Sequence, residues 1–279
     1  DPLYEDRYLP RKFKIAIAIP PSNDVDVFTN DIGLIAIIEN DVLKGFNIAI
    51  GGGLATTHGN PNTYSRLGSI IGFTDTEEKT LKAVYEILTV QRDFGNRVDR
   101  KLSRLKYTVD KLTVEGFKKE LENRIGFEFE PERKFKFTER SDRFGWEQNH
   151  QGKWFYTLFI EHGVVKPEQK QFLYELAQQD ISNFIFSGNQ NLILGEIEES
   201  NKAKVEALLL QHDIEKQVSA LRKNSMACVA LPTCPLALAE AQRYLPELVT
   251  KIEPILAKYE LSNDEISIRM TGCPNGCGR

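Results

Sequence analysis

The chain has 279 residues, of which 41% are hydrophobic and 27% charged, with a net charge of −4 and a mean hydropathy of −0.36. That is enough apolar material for about two domains, and the acidic balance excludes a broad basic surface for nucleic acid. No apolar run approaches the roughly 20 residues that cross a bilayer, so a membrane is not an expected partner either. Any anion site has to be a local basic cluster in a mildly acidic protein.

The predicted elements begin with strands. Phe13–Ile19 is a β-rich run stopped by Pro20-Pro21, and Gly33–Ile38 and Phe46–Ile50 follow across Asp/Asn/Gly turns. Gly51-Gly-Gly53 breaks the last of them. From Asp75 to Phe94 the period becomes helical, with Leu81, Val84, Tyr85 and Leu88 on one face, Thr74 or Asp75 as cap and Gly95 as stop. A second helix runs from Val114 to Arg124 and ends before Gly126. Residues 127–141 read as a connector. Lys153–Ile160, a helix near 167–179, Asn183–Phe186, Asn191–Leu194 and a helix near 199–211 then make a β-α-β-β-α unit, the order of a ferredoxin-like lobe. Next comes a helix from Pro235 to Tyr259, bent at Pro246 and Pro254, and a strand, Ile266–Met270, that leads to Cys273. The fold class is α/β, in its mixed-sheet α+β form.

All four cysteines, Cys228, Cys234, Cys273 and Cys277, fall in the last fifth of the chain. Their bunching favours a metal or cluster site in a reducing compartment, the cytoplasm by default, over a disulfide framework. The spacing is C-x5-C, 38 residues, then C-x3-C. Four thiolates suit an iron–sulfur cube or tetrahedral zinc, and inert buried thiols remain the plain alternative. Structural zinc favours tighter C-x2-C knuckles. Pro235 at the first position of a helix would aim free N–H groups at an anionic cluster, and Asn275 and the neighbouring glycine amides can donate to its sulfurs.

Asn224-Ser-Met-Ala-Cys-Val-Ala-Leu-Pro-Thr-Cys-Pro-Leu-Ala-Leu-Ala-Glu240 and Thr271-Gly-Cys-Pro-Asn-Gly-Cys-Gly-Arg279 closely resemble the cluster motif of the nitrite and sulfite reductases, the siroheme and 4Fe–4S family. Tyr8-Leu-Pro-Arg-Lys-Phe-Lys14, Asn30-Asp-Ile-Gly33, Gly45-Phe-Asn47, Gly51-Gly-Gly53, Gln91-Arg-Asp93, Asn96-Arg97 and Asn189-Gln-Asn191 fit the same family in order. The resemblance implies that all four cysteines ligate a 4Fe–4S cluster and that Cys277 also bridges to the siroheme iron. It further implies that Lys12 and Lys14 contact sulfite, which would be reduced to sulfide. Electrons would come from a flavoprotein reductase subunit carrying NADPH and FAD/FMN. The alternative is a ferredoxin-fed sulfite or nitrite reductase of the same family. Segments 1–139, 140–213 and 214–279 would be a siroheme and substrate domain, a ferredoxin-like lobe and a cluster domain. The family's flanking segments are missing at both ends, so this piece by itself is expected to bind its cofactors poorly.

Sulfite and siroheme are both anionic. Arg11, Lys12 and Lys14 open a strand on which positions 12 and 14 would face one side, making a point-charge clamp whose ammonium groups can also give protons. Arg97, Arg100, Lys101, Arg104 and Lys106 form a second basic run whose arginines suit bidentate salt bridges to macrocycle carboxylates, with Arg104 where relatives often carry lysine. The ordinary reading of both runs is a solvated charged face. His58, His150, His162 and His212 show no metal spacing and read as surface or structural, and Trp146 and Trp154 read as core.

Overall fold

The computed structural model describes residues 2–4, 6–214 and 218–278. Two compact units result, Asp1–Arg140 with Pro274–Gly276, and Ser141–Cys273 with Cys277–Arg279.

In the first unit, β1 (Ile15–Ala18), β2 (Ile32–Glu39), β3 (Val42–Ile50) and β4 (Ser69–Thr74) form one sheet in that order. β1 runs parallel to β2, Ile15 facing Ile32, and the other pairs are antiparallel. Three helices cover it: α1 (Glu77–Phe94), α2 (Leu105–Leu112) and α3 (Val114–Ile125). The core joins Ile32, Ile48 and Ile50 of the sheet to Ala83, Ile87, Val90, Val109 and Phe117 of the helices.

Two readings of α1 need correction. Its cap is Thr76, whose side chain accepts from the Lys79 N–H. Its buried face is Thr80, Ala83, Ile87 and Val90, while Leu81 and Tyr85 are exposed. A 3.6-residue period admits two neighbouring stripes here, and the buried one carries the smaller Thr80 and Ala83 beside Ile87 and Val90. β4 and α2 are elements that periodicity did not single out. α2 has only eight residues, too short for a clear moment.

In the second unit, β5 (Gly145–Gln148), β6 (Trp154–Leu158), α4 (Pro167–Gln179), β7 (Asn183–Phe186), β8 (Leu192–Ile197) and α5 (Glu199–Gln211) build an antiparallel sheet of order β5-β6-β8-β7. Phe172 and Leu176 of α4 and Val205 and Leu209 of α5 pack on Leu158, Leu194 and Ile197. The expected β-α-β-β-α order thus gains a leading strand, β5. Trp146 and Trp154 pack partly buried against this core, their ring centroids 6.0 Å apart.

A smaller layer follows: α6 (Ala220–Lys223), β9 (Ser225–Ala227), α7 (Leu245–Lys258) and β10 (Ile268–Met270), around Leu221, Ala227, Ala230, Ala241, Leu245 and Val249. β9 and β10 pair in parallel, Ala227 facing Met270. The expected helix from Pro235 is corrected: α7 starts at Leu245 with Pro246 in its first turn, and Pro254 lies inside it. Among the described residues no helix is long and apolar enough to cross a membrane.

Candidate functional site

The basic cluster of the first unit is organised by a buried carboxylate. Lys14 sits one residue before β1, so the strand rule that puts positions 12 and 14 on one face does not apply to them. Lys12 is exposed, whereas Arg11 and Lys14 are half-buried. The Lys14 backbone N–H donates to Asp31 Oδ2 at 2.9 Å, and the Lys14 carbonyl accepts from Ile32 N at 3.1 Å. Asp31 has no solvent exposure. Arg104 meets it as a fork, Nε to Oδ1 at 3.1 Å and Nη2 to Oδ2 at 2.9 Å. Burial pushes the Asp31 carboxyl up from its usual range, against the opposing pull of Arg104 and the Lys14 N–H.

Beside this pair Lys106 is fully buried, and its Nζ donates to the carbonyls of Gly53 at 3.1 Å, Ala55 at 2.8 Å and Tyr64. Burial, with Arg104 adding repulsion, lowers its ammonium to about 8. The loop Gly51-Gly-Gly53 is held by backbone bonds, with Gly51 N to Asp31 O, Gly52 N to Asn30 O and Gly53 N to Arg66 O. Arg97, by contrast, is exposed, its Nη2 on the Tyr8 carbonyl at 2.8 Å. The structure therefore joins Lys14 and Arg104 through Asp31 and leaves Lys12 and Arg97 at the surface. Asp31 was not named as a site residue from sequence, and Lys106 entered only as a member of the second basic run. The Asn30-Asp-Ile-Gly33 motif was the one signal for the first, and a lysine in a basic run reads as surface.

In the second unit, β9 runs directly into Cys228, and β10 leads to Cys273 three residues on. Cys228 N donates to Met270 O at 3.1 Å, and Gly272 N donates to Cys228 Sγ at 3.3 Å. The turns after Cys234 fold back onto the same place, because Leu238 N and Ala239 N both donate to Gly272 O, at 2.8 and 3.2 Å. Glycine is required at two points. A Cβ on Gly272 would lie 2.6 Å from Ala230 Cβ and from Ala239 O, and one on Gly278 2.4 Å from Met270 O. The segments bearing Cys228, Cys234, Cys273 and Cys277 are thus gathered at the end of one two-stranded sheet. Cys277 is exposed and the other three are half-buried, all as free thiols.

Four thiols carried by neighbouring turns are a donor set that an iron–sulfur cube takes, one thiolate to each iron. The expected helix N-terminus at Pro235 is absent. Residues 234–244 are turns, and their donors serve Gly272 O and Cys228 O, so the local donor to sulfur is the Gly272 amide. Asn275 is half-buried in the short stretch that clusters with the first unit, where Pro274 O accepts from Thr56 N at 3.0 Å. Arg279, the last residue of the motif, lies outside the described residues.

Asn189-Gln-Asn191 braces these strands. Gln190 Nε2 donates to Ala227 O at 2.9 Å, just before Cys228. Asn191 Nδ2 donates to Asp142 Oδ2 at 2.7 Å, and its Oδ1 accepts from Ile160 N.

Residues 1–129 match the family described as nitrite and sulphite reductase 4Fe-4S domain. Residues 147–212 match the nitrite/sulfite reductase ferredoxin-like half domain. The sulfite reductase (NADPH) hemoprotein beta-component of Leptospira biflexa is 60% identical over the whole chain, which covers 51% of that protein. Its counterpart in Geobacillus thermodenitrificans is 49% identical, with 50% of that protein covered. In fold, the structure of Mycobacterium tuberculosis NirA protein matches 98% of the chain and 49% of its own length, with a TM-score of 0.81 at 24% identity. The chain spans about half the length of the curated relatives it matches.

Proposed function

This chain belongs to the nitrite and sulphite reductase family, and on that premise we propose that it serves the six-electron reduction of sulfite to sulfide. Cys228, Cys234, Cys273 and Cys277 hold a 4Fe–4S cluster, and Cys277, the exposed thiol, is shared with the iron of siroheme. When bound, that pair of groups supplies single electrons to the sulfur of the substrate. The electrons come from a flavoprotein reductase that oxidises NADPH, a reading supported by the names of the relatives. Residues 1–139, 140–213 and 214–279 divide the work into a siroheme and substrate domain, a ferredoxin-like lobe and a cluster domain.

The side chains do the remainder. Lys12 and Lys14 hold the sulfite oxygens as point charges and give protons as those oxygens leave as water. Arg11 and Arg97 meet the carboxylates of the macrocycle. Arg104 commits two of its donors to Asp31, leaving Nη1 for that task. Asn275 and the Gly272 amide donate to cluster or thiolate sulfur, which tunes potential. The observation that carries the reading is the gathering of the four thiol-bearing segments at the paired ends of β9 and β10.

The test is made on the full-length protein. Its visible absorption, its EPR spectrum and its iron and acid-labile sulfide content should report haem and one cube. Cys277→Ser should change the axial ligation of the haem iron. Lys12→Ala and Lys14→Ala should each lower sulfite turnover. Zinc in place of iron, or unchanged axial ligation in Cys277→Ser, refutes the cofactor reading. Preference for nitrite, or for ferredoxin over the flavoprotein, refutes the substrate or donor assignment.

A further inference from the structure

Lys106 is the second residue of α2 and has no solvent exposure. Taking an ammonium out of water is costly unless its donors find fixed acceptors. Here all three do, on Gly53 O, Ala55 O and Tyr64 O. Two tyrosine rings flank it, the centroid of Tyr107 5.0 Å and that of Tyr64 5.7 Å from Nζ. The three carbonyls come from the two sides of one loop, and those sides also exchange backbone bonds between Gly53 and Arg66, at 2.8 and 3.0 Å. The buried charge thus fixes the course of residues 53–55.

The Ala55–Thr56 peptide carries that constraint outward. Its carbonyl, on Ala55, accepts from Lys106 Nζ at 2.8 Å, and its N–H, on Thr56, donates to Pro274 O at 3.0 Å. A trans peptide is planar and sets its C=O and N–H in opposite directions, so fixing one end aims the other. This one is trans. A cation on the carbonyl also polarises the amide, which strengthens the N–H as a donor. Thr56 Oγ1 adds a longer bond to the same Pro274 O, at 3.3 Å. Pro274 lies in the short stretch that clusters with the first unit, immediately after Cys273 and three residues before Cys277. Proline has no N–H, so the carbonyl is the hydrogen-bonding group by which this residue is held.

We propose that Lys106 is a positioning residue for the turn from Cys273 to Cys277: its ammonium holds the Ala55–Thr56 peptide, and that peptide holds Pro274 between the two thiols. This rests on the reading of the four cysteines as ligands of an iron–sulfur cluster. It gives a buried lysine of the first unit a role toward the cluster, by way of one peptide group.

EPR spectroscopy of the full-length, cofactor-loaded protein, and its release of iron to a chelator, test this role. Lys106→Met removes the three donors. Thr56→Pro keeps the Lys106 charge and removes the N–H that Pro274 O accepts. Ile87→Ala opens a cavity in the core of the same unit and controls for lost stability alone. A less stable fold lowers the amplitude of the EPR signal and leaves its g values in place, whereas a displaced ligand turn moves the g values. Lys106→Met and Thr56→Pro should both move them, and both should release iron about tenfold faster than Ile87→Ala. Lys106→Gln stands in, under the same criteria, where Lys106→Met does not fold. Parent g values in the Lys106 variant, or an equal displacement in Ile87→Ala, overturn the proposal. So does a parent-like spectrum in Thr56→Pro beside a displaced one in the Lys106 variant, since the charge then acts without the peptide. If the parent itself shows no iron–sulfur signal and no acid-labile sulfide, the cluster reading fails and this inference with it; if the parent is loaded and the Lys106 variant matches it, only this inference fails.

Discussion

Three carbonyls converge on Lys106 Nζ, those of Gly53, Ala55 and Tyr64, and no part of the residue reaches solvent. Each ammonium donor is used, so the side chain acts as an internal rivet between the glycine loop and the segment before β4. Lys106→Met keeps the volume but strands the carbonyls, and should lower unfolding free energy by about 2–4 kcal/mol in urea titration. A loss below about 0.5 kcal/mol would show that water replaces the ammonium there. His162 is the opposite case. It is 4% exposed, holds a left-handed φ of 54°, and neither ring nitrogen has a hydrogen-bond partner in the structure. Burial holds its pKa below the ordinary 6.5, opposed by Glu161 and aided by Arg222 and Lys166. The folded imidazole thus resists a proton that the unfolded chain accepts. Its contribution to stability is complete above about 6.5 and is lost as pH falls from there toward its depressed folded value. Asn tolerates the same φ and does not titrate, so in His162→Asn the stability difference between pH 7.5 and 5.5 should shrink. An unchanged difference would place the acid sensitivity elsewhere.

At the scale of elements, the parallel pair β9–β10 and the turns after Cys234 form one device. Gly272 lies where three chain segments meet, and Gly278 presses on Met270 and Cys228. Gly272→Ala forces a Cβ to 2.6 Å from Ala239 O, and the strand or the turn must move. We expect a loss of about 1–3 kcal/mol, together with an iron and sulfide content of the full-length protein cut by more than half. Full iron content would mean that the turn can shift without opening the cysteine site. On α1, Thr76 caps the first turn, and Thr76→Ala should cost about 1 kcal/mol in thermal or urea unfolding, with iron content unchanged. The contrast between the two substitutions separates general stability from the integrity of the thiol site. The Asn189-Gln-Asn191 brace belongs to this scale as well, since it couples the sheet of the ferredoxin-like lobe to the strand that carries Cys228.

For the whole molecule, the two units divide the proposed chemistry, with anion-binding side chains in the first and thiols in the second. The chain covers about half of its relatives, so measurements of function belong to the full-length protein. Metal analysis after expression with both iron and zinc supplied should find iron with matching acid-labile sulfide. Stoichiometric zinc would remove the cluster and the enzyme assignment together.

The cysteine spacing, the order of motifs and the mixed α/β character were legible in the residues alone, because covalent spacing and short-range period are local quantities. So were the strands that became β2 and β3 and the extent of α1. Tertiary structure decided what depends on partners far apart in the chain. It chose the buried face of α1, since two stripes satisfied the same period. It withheld a helix from residues 235–244, because their N–H groups find Gly272 O and Cys228 O instead of helical carbonyls. It also turned Arg104 and Lys106 from members of a basic run into buried charges, Lys106 with all three ammonium donors engaged and Arg104 with two of its donors on Asp31. Sequence lists the charges of a chain, whereas burial and hydrogen bonding across 40 to 70 residues settle which of them are left to meet a ligand.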